Sequence, residues 1–124
     1  MKIERFEDLE CWKEARILVN MVYEAIHSSG RFERDYGLKG QVTNAAVSSM
    51  SNIAEGFSRH SNKEFAQFLF ISKGSVSEVQ SILYVARDQT YIDEDIFNKI
   101  YSQAEKVSKL TSGLINYLVK KKEK

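Results

Sequence analysis

Apolar side chains recur every three or four residues in four long blocks of this 124-residue chain, and no proline interrupts any of them. This spacing places the apolar side chains of each block on one face of an α-helix, whereas a strand would show alternation with period two. Proline is the strongest breaker of a helix interior, so its absence favours long helices. The sequence therefore predicts four helices and no strand, with core positions at 9–26, 38–57, 65–86 and 96–118.

The connections between the blocks are short. They fall at about residues 28–34, near His60, and at 90–93. Short connections make consecutive helices lie antiparallel. We therefore predict an all-α fold, an antiparallel up-down-up-down four-helix bundle, in which residues 1–124 form a single domain with a basic tail at 120–124.

Residues that favour helix ends flank the blocks. Asp8 is predicted to cap the start of the first helix, and the small residues at 28–30 are predicted to end it. Ser61 and Glu64 have the spacing of a capping box at the start of the third helix. The acidic residues at 93–95 complement the dipole at the start of the fourth.

Charge is distributed unevenly along the chain. The net charge is +1, but the last five residues, KKKEK, hold four of the 18 basic residues and one of the 17 acidic ones, which leaves 14 bases and 16 acids in the body. A mildly acidic body argues against a broad nucleic-acid footprint on one copy. The tail is either a frayed, solubilising terminus or a nucleic-acid contact together with a basic corner. The predicted contacts are Arg59, Lys63, Lys120, Lys121, Lys122 and Lys124.

Sequence signals for export or membrane insertion are missing. Residues 1–12 mix acids and bases and lack an apolar run, and apolar runs elsewhere are far shorter than the ~20 residues that a membrane span requires. The single cysteine, Cys11, cannot form a disulfide within the chain, which suits a reducing compartment. We expect a cytoplasmic protein with no membrane partner.

The motifs of catalysis and metal binding are incomplete, so we predict no enzymatic activity, no metal and no cofactor. Glu24 and His27 have the spacing of one di-iron ligand pair, but a bundle site of that kind needs a second such pair. Serine stands three residues after each of the other central glutamates: Glu55 and Ser58, Glu78 and Ser81, Glu105 and Ser108.

Small and polar residues are concentrated in the middle helices. Residues 45–56 read AAVSSMSNIAEG, and two interpretations are open: these residues let helices of one copy approach closely, or they also meet another subunit. Central polar residues are either solvated and paired within the chain or joined across a subunit interface, since an unpaired buried carboxylate is costly. They are Asn52, Glu55, Ser75 and Glu78.

Three stretches resemble one known family. They are FEDLECWKEA at the start, YGLKGQVTNAAVSSMSNIAEGFSR at 36–59 and KGSVSEV at 73–79. Together they are similar to the four-helix-bundle family encoded in intervening sequences of bacterial large-subunit ribosomal RNA genes, over nearly the whole chain. The resemblance implies an up-down-up-down bundle, a ring-like homopentamer and no established enzymatic activity.

A more distant resemblance is to the accessory variability determinant of diversity-generating retroelements, a basic barrel that binds reverse transcriptase and nucleic acid. It implies RNA, DNA or a nucleic-acid enzyme as the partner. One departure from the family is that Thr43 and Asn44 stand where an arginine pair is usual, so two cations are missing.

We predict a homo-oligomeric binding module, a pentamer by resemblance, that associates with nucleic acid or a nucleic-acid enzyme. The alternative is a protein-only structural adaptor. The family pattern falls on eight residues, which we predict to form a polar network or interface: Gln41, Asn52, Glu55, Gly56, Arg59, Gly74, Ser75 and Glu78.

Overall fold

The computed structural model describes residues 3–121, and that part of the chain is helical without a strand. A 3-10 turn at Phe6–Asp8 is followed by four long helices and one short one. The prediction of an all-α bundle is confirmed. The helices are α1 (Glu10–His27), α2 (Gly30–Arg34), α3 (Tyr36–Phe57), α4 (Asn62–Asp88) and α5 (Glu94–Lys120).

The core lies between the four long helices. α1 packs against α3 and α5, and α4 packs against the same two helices on the opposite side. Each long helix thus has two long neighbours and turns its apolar face inward, as helical spacing requires. Side chains of all four are fully buried there, among them Leu18, Ile26, Val42, Ile53, Leu69, Leu83 and Val107.

The contacts between neighbouring helices show that the chain runs in opposite directions along them. Ser48 on α3 meets Ser75 on α4, while Gly56, two turns further along α3, lies against Phe68, two turns earlier on α4. α4 and α5 contact each other in the same opposed sense, through the pairs Gln80–Glu105 and Arg87–Glu94. These are the contacts of antiparallel neighbours.

The connection between α1 and α3 is not the plain loop that the sequence predicted at 28–34, because it contains α2. The Ser29 hydroxyl accepts a hydrogen bond from the Phe32 N–H at 3.3 Å and starts this helix. Phe32 is buried and stacks on Tyr91, with ring centroids 5.3 Å apart. The Tyr91 hydroxyl donates to Asp35, the N-cap of α3, at 2.8 Å. The α4–α5 turn and α2 therefore close the same end of the bundle.

The start of α1 is also different from the prediction. Asp8 is not its N-cap, because Asp8 belongs to the 3-10 turn and α1 begins after Leu9, which makes no side-chain cap. Leu9 is buried, and Phe6 packs edge-on against Trp12 at 5.2 Å. Apolar burial rather than a capping bond therefore positions this end. The predicted cap at Ser61 on α4 is confirmed. Asp93, which was predicted only to complement the dipole of α5, is also its N-cap.

Candidate functional site

A seam of small polar side chains joins α3 to α4. The buried Ser72 hydroxyl donates to the carbonyl of Ser49 at 2.6 Å. Nearer to solvent, the hydroxyls of Ser48 and Ser75 lie 2.8 Å apart, and Asn52 Nδ2 donates to the Ser48 hydroxyl and carbonyl, each at 2.9 Å. We call these five residues the polar seam. The Ser49 hydroxyl donates to the Ala46 carbonyl within α3. With these bonds, helices that carry hydroxyl groups pack closely, and no buried side-chain polar atom is left unpaired among the described residues.

Two exposed stripes lie on the solvent side of the polar seam, one on each helix. Members of each stripe are three or four residues apart, which puts them on one side of their helix. Three of them are apolar and well exposed: Val47 at 40%, Ile71 at 53% and Val85 at 43%. We call this surface the α3/α4 face; it consists of Gln41, Asn44, Val47, Ser51 and Glu55 on α3, and Ile71, Gly74, Glu78, Ser81 and Val85 on α4.

Charge is scarce along the helices that form the α3/α4 face. Residues 40–54 include no charged side chain, and residues 65–86 include only Lys73 and Glu78. By contrast, residues 94–109 of α5 include six. An exposed surface that is poor in charge and carries apolar side chains has the composition of the middle of a protein interface.

The structure places four of the eight predicted network or interface residues on this face and two in the polar seam beneath it. Gly56 is buried against α4. Arg59, just past α3, forms an ion pair with Glu55, and its guanidinium lies 4.6 Å from the centre of the Phe68 ring. Four of the other predicted residues are exposed on the face: Gln41, Glu55, Gly74 and Glu78. The remaining two, Asn52 and Ser75, lie in the polar seam. Their role in an interface stays a prediction.

Sequence reasoning missed the serines that complete the polar seam. Ser48 precedes Asn52 by one helical turn, and Ser72 precedes Ser75 by three residues. A run of hydroxyl residues at helical spacing in two consecutive helices is the signal that could have found them. The partner of each hydroxyl depends on the register between α3 and α4, which the spacing alone does not give.

The predicted nucleic-acid contacts gather at one end of the bundle. Lys63 lies at the start of α4, and Lys120 and Lys121 lie at the end of α5, all of them exposed. Lys63 and Lys121 line one groove between these helices, whereas Arg59 is held on α3 and over the Phe68 ring. The predicted contacts Lys122 and Lys124 lie outside the described residues.

This groove has an apolar floor and a basic rim. Its volume is about 410 Å³, and Phe70 and Val119 on its floor are 57% and 66% exposed. Within residues 3–121, no acidic residue lines it. We call it the α4/α5 end groove; it is lined by Asn62, Lys63, Ala66, Gln67, Phe70, Leu118, Val119 and Lys121.

The ionisable groups with shifted pKa values have structural partners. Burial raises the pKa of the Cys11 thiol to about 11, so this thiol stays protonated near neutral pH and is a poor nucleophile. A hydrogen bond from Gln103 and the ammonium of Lys106 lower the pKa of Glu14, which ties α1 to α5.

The histidine of the incomplete metal-ligand pair, His27, has a partner outside that pair. His27 Nδ1 lies 2.8 Å from the carboxylate of Glu33, which Lys39 contacts as well. Within residues 3–121, no three His, Cys, Asp or Glu side chains are grouped so that they could hold a metal ion. None of the helices described is long and apolar enough to span a membrane.

A family model described as 23S rRNA-intervening sequence protein matches residues 7–113 of the chain. The fold is similar to the crystal structure of a protein of unknown function from the S23 ribosomal protein family of Bacteroides thetaiotaomicron, with a TM-score of 0.71. The two chains are 19% identical, and the match covers 85% of this chain and 94% of that one. At that identity the likeness shows the fold alone. No curated protein matches the chain.

Proposed function

This chain belongs to the 23S rRNA-intervening sequence protein family, and from that premise we propose that it is a homo-oligomeric binding module with no enzymatic step of its own. The α3/α4 face of one copy contacts a different surface of the next copy, and the α4/α5 end groove stays open for a partner. The observation that carries this proposal is the exposed, nearly uncharged surface around Val47, Ile71 and Val85.

The size of the α3/α4 face suits the centre of an interface. It spans residues 41–55 of α3 and 71–85 of α4, so it is about 20 Å long and two helices, or about 20 Å, wide. That area is about half of the ~800 Å² that each partner contributes to a standard interface, so neighbouring side chains would complete the contact. Transfer of the exposed apolar side chains out of water would stabilise the assembly.

Gly74 supports close approach of another helix at this face. It lies in the middle of α4, where glycine costs ~1 kcal/mol relative to alanine. A Cβ at Gly74 would meet nothing within 4 Å, so packing within one copy does not require glycine there. A neighbouring helix seated close to Gly74 would require it. Gly113 on α5 is equally open and lies off the face, which makes it the matched control.

The two carboxylates on the face would limit how copies can meet. Glu55 and Glu78 are its only charged members. Glu55 is already paired with Arg59, so an interface that covers Glu78 must supply a cation for it or leave it solvated. Such groups favour one register over others. A ring repeats one contact between different surfaces of consecutive copies, and the number five comes from the family resemblance.

The experiment is sedimentation velocity on two variants at micromolar concentration. Ile71→Lys places a charge in the middle of the α3/α4 face, and Ile17→Lys places one at a similarly exposed site on α1, where Ile17 is 44% exposed. We expect Ile71→Lys to dissociate the assembly and Ile17→Lys to leave it intact. Equal sedimentation of both variants and the wild type would show that the α3/α4 face takes no part in self-association.

RNA association at the basic end is the second candidate function, and the gathering of Lys63, Lys120 and Lys121 favours it. One copy presents few clustered bases, but five tails on one side of a ring would present about twenty lysines to one strand. We expect weak binding that is insensitive to sequence, weakens steeply between ~50 and ~200 mM salt, and is lost when residues 120–124 are deleted.

Filter binding of a structured RNA measures each of these properties. No retention at ~50 mM salt would favour a protein-only adaptor, or association with a nucleic-acid enzyme rather than with the nucleic acid. Retention that survives the deletion would place the contact on Arg59, Lys63 and the helical faces instead.

A further inference from the structure

The α4/α5 end groove has the features of a docking site separate from the α3/α4 face. Its floor is formed by Ala66 and Phe70 on α4 and by Leu118 and Val119 on α5. Leu118 and Ala66 are buried, whereas Phe70 and Val119 turn more than half of their surface to solvent. The floor is therefore continuous with the core at its base and open at its top, and it can receive apolar side chains from outside.

The rim of the groove selects for negative charge. Lys63 and Lys121 line it from opposite helices, and Lys120 is exposed next to it. The nearest acid on α4, Glu64, lies 3.3 Å from the Ser61 hydroxyl at the helix cap, and it does not line the groove. Cations on both sides of an apolar floor favour an acidic partner and disfavour a basic one.

The walls of the groove determine the form of that partner. Both walls are α-helices rather than strands, so an extended segment would find no strand edge to pair with. A helix satisfies its own backbone groups and can present apolar side chains on one stripe. Helix-in-groove docking of this kind uses anchors at positions i, i+3 or i+4, and i+7.

Segments from another copy of the chain fit poorly. The acidic stretches at Phe6–Asp8 and 93–95 have apolar neighbours, but Phe6 and Ile96 already pack against the core. Nucleic acid fits the floor poorly as well, because bases stack on aromatic faces and Phe70 is the one aromatic residue among the groove's lining residues.

We propose that the α4/α5 end groove docks an acidic amphipathic helix of a partner protein, with apolar anchors on Phe70, Leu118 and Val119 and carboxylates on Lys63 and Lys121. This goes beyond the proposed self-association. Lys63 and Gln67 continue the α4 stripe of the α3/α4 face toward the start of the helix, whereas Phe70 lies on the side that borders α5. The two readouts are separate, because peptide affinity tests the groove and the sedimentation of Ile71→Lys tests the face.

The test is selection from a library of random peptides held in a helical scaffold, with the full-length protein as bait. Phe70→Glu is the groove variant, and Ile17→Glu is the control at an exposed apolar site on α1. Enriched peptides should carry apolar residues at helical spacing with flanking Asp or Glu. Their affinity, measured by fluorescence anisotropy, should fall about tenfold or more on Phe70→Glu and stay unchanged on Ile17→Glu.

A second variant tests the groove independently, in case Phe70→Glu fails to fold. Lys63→Glu with Lys121→Glu leaves the apolar floor intact and should also weaken the enriched peptides about tenfold, with a stronger effect at low salt. Circular dichroism confirms that each variant remains helical.

Four outcomes would overturn the proposal. They are no enrichment over the Phe70→Glu bait, enrichment of basic or non-helical peptides, tight binding of a uridine 20-mer that Phe70→Glu abolishes, and a change of oligomeric state on Phe70→Glu. Binding of the uridine 20-mer would show that the groove binds nucleic acid. A change of oligomeric state would show that it binds another copy of the chain.

Discussion

Gly56 on α3 lies directly against Phe68 on α4. A Cβ placed on Gly56 would come within 2.8 Å of Phe68 Cβ and 2.9 Å of Phe65 Cδ1, which is closer than carbon atoms approach without a shift. The Phe65 carbonyl oxygen would lie 3.2 Å away, so part of the obstacle is backbone. Gly56 therefore sets the distance between α3 and α4 at the end of the polar seam.

Substitution of Gly56 tests this spacing. Gly56→Ala should lower the free energy of unfolding by about 1–3 kcal/mol, because the added methyl group overpacks the helix contact. Gly113→Ala, at an open and exposed position of α5, should raise it by about 0.5–1 kcal/mol. Urea unfolding of both variants measures the difference. Equal stability of the two would mean that α3 and α4 can separate at no cost.

The short helix α2 should contribute strongly to stability through one side chain. Phe32 is buried against Tyr91, so Phe32→Ala should cost about 3–5 kcal/mol. Phe70→Ala is the matched control, because Phe70 is mostly exposed, and its cost should stay within about 0.5 kcal/mol. Thermal unfolding followed by circular dichroism compares them. A Phe32 variant as stable as the control would show that α2 does not anchor this end.

Sequence reasoning predicted the long helices because their apolar periodicity extends over many turns. It missed α2 because five residues are too few to show a period, and the helix depends on Phe32 packing against Tyr91, which lies far along the chain. It misplaced the cap at Asp8 for a related reason. Burial of Leu9 and the Phe6–Trp12 contact override a local capping preference.

The candidate surfaces were predictable to different degrees. The small residues of the second block and the family pattern pointed to α3 and α4, and six of the eight predicted residues lie on the α3/α4 face or in the polar seam beneath it. The α4/α5 end groove was not predictable, because Lys63 and Lys121 line it from distant parts of the chain. Their juxtaposition depends on helix lengths and on the register between α4 and α5.

Stability should depend on pH through Glu14. Its pKa is lowered from the ordinary value of 4.5 by the hydrogen bond from Gln103 and by Lys106, so the folded state favours the ionised form. A lowered pKa contributes stability that is present above the unfolded pKa and is lost as the pH falls through the folded pKa.

The pH experiment compares the wild type with Glu14→Gln. The variant should be less stable than the wild type at pH 7, by about 1 kcal/mol or less, and the gap should close as the pH falls below about 4.5. Urea unfolding between pH 7 and pH 3 measures the gap. Glu24→Gln, on the exposed side of the same helix, is the control and should follow the wild type. A gap that stays constant with pH would rule out the Glu14 carboxylate as its cause.

Alanine substitutions at Gly74 and Gly113 distinguish the effect of packing within one copy from the effect of packing between copies. Alanine at either position should raise the stability of the single chain by about 0.5–1 kcal/mol, since neither Cβ would meet a neighbour. Only Gly74→Ala should weaken self-association, because only Gly74 lies on the α3/α4 face. Dilution series of both variants in analytical ultracentrifugation provide the comparison. Identical dissociation curves would indicate that no helix approaches Gly74 closely.

Self-association of the wild-type protein can be measured as its molar mass in solution. Size-exclusion chromatography with multi-angle light scattering at micromolar concentration should return a multiple of the 14.3 kDa chain mass, about five times that mass for the pentamer. A single species of 14.3 kDa at that concentration would show that the protein is a monomer and that the proposed assembly is wrong.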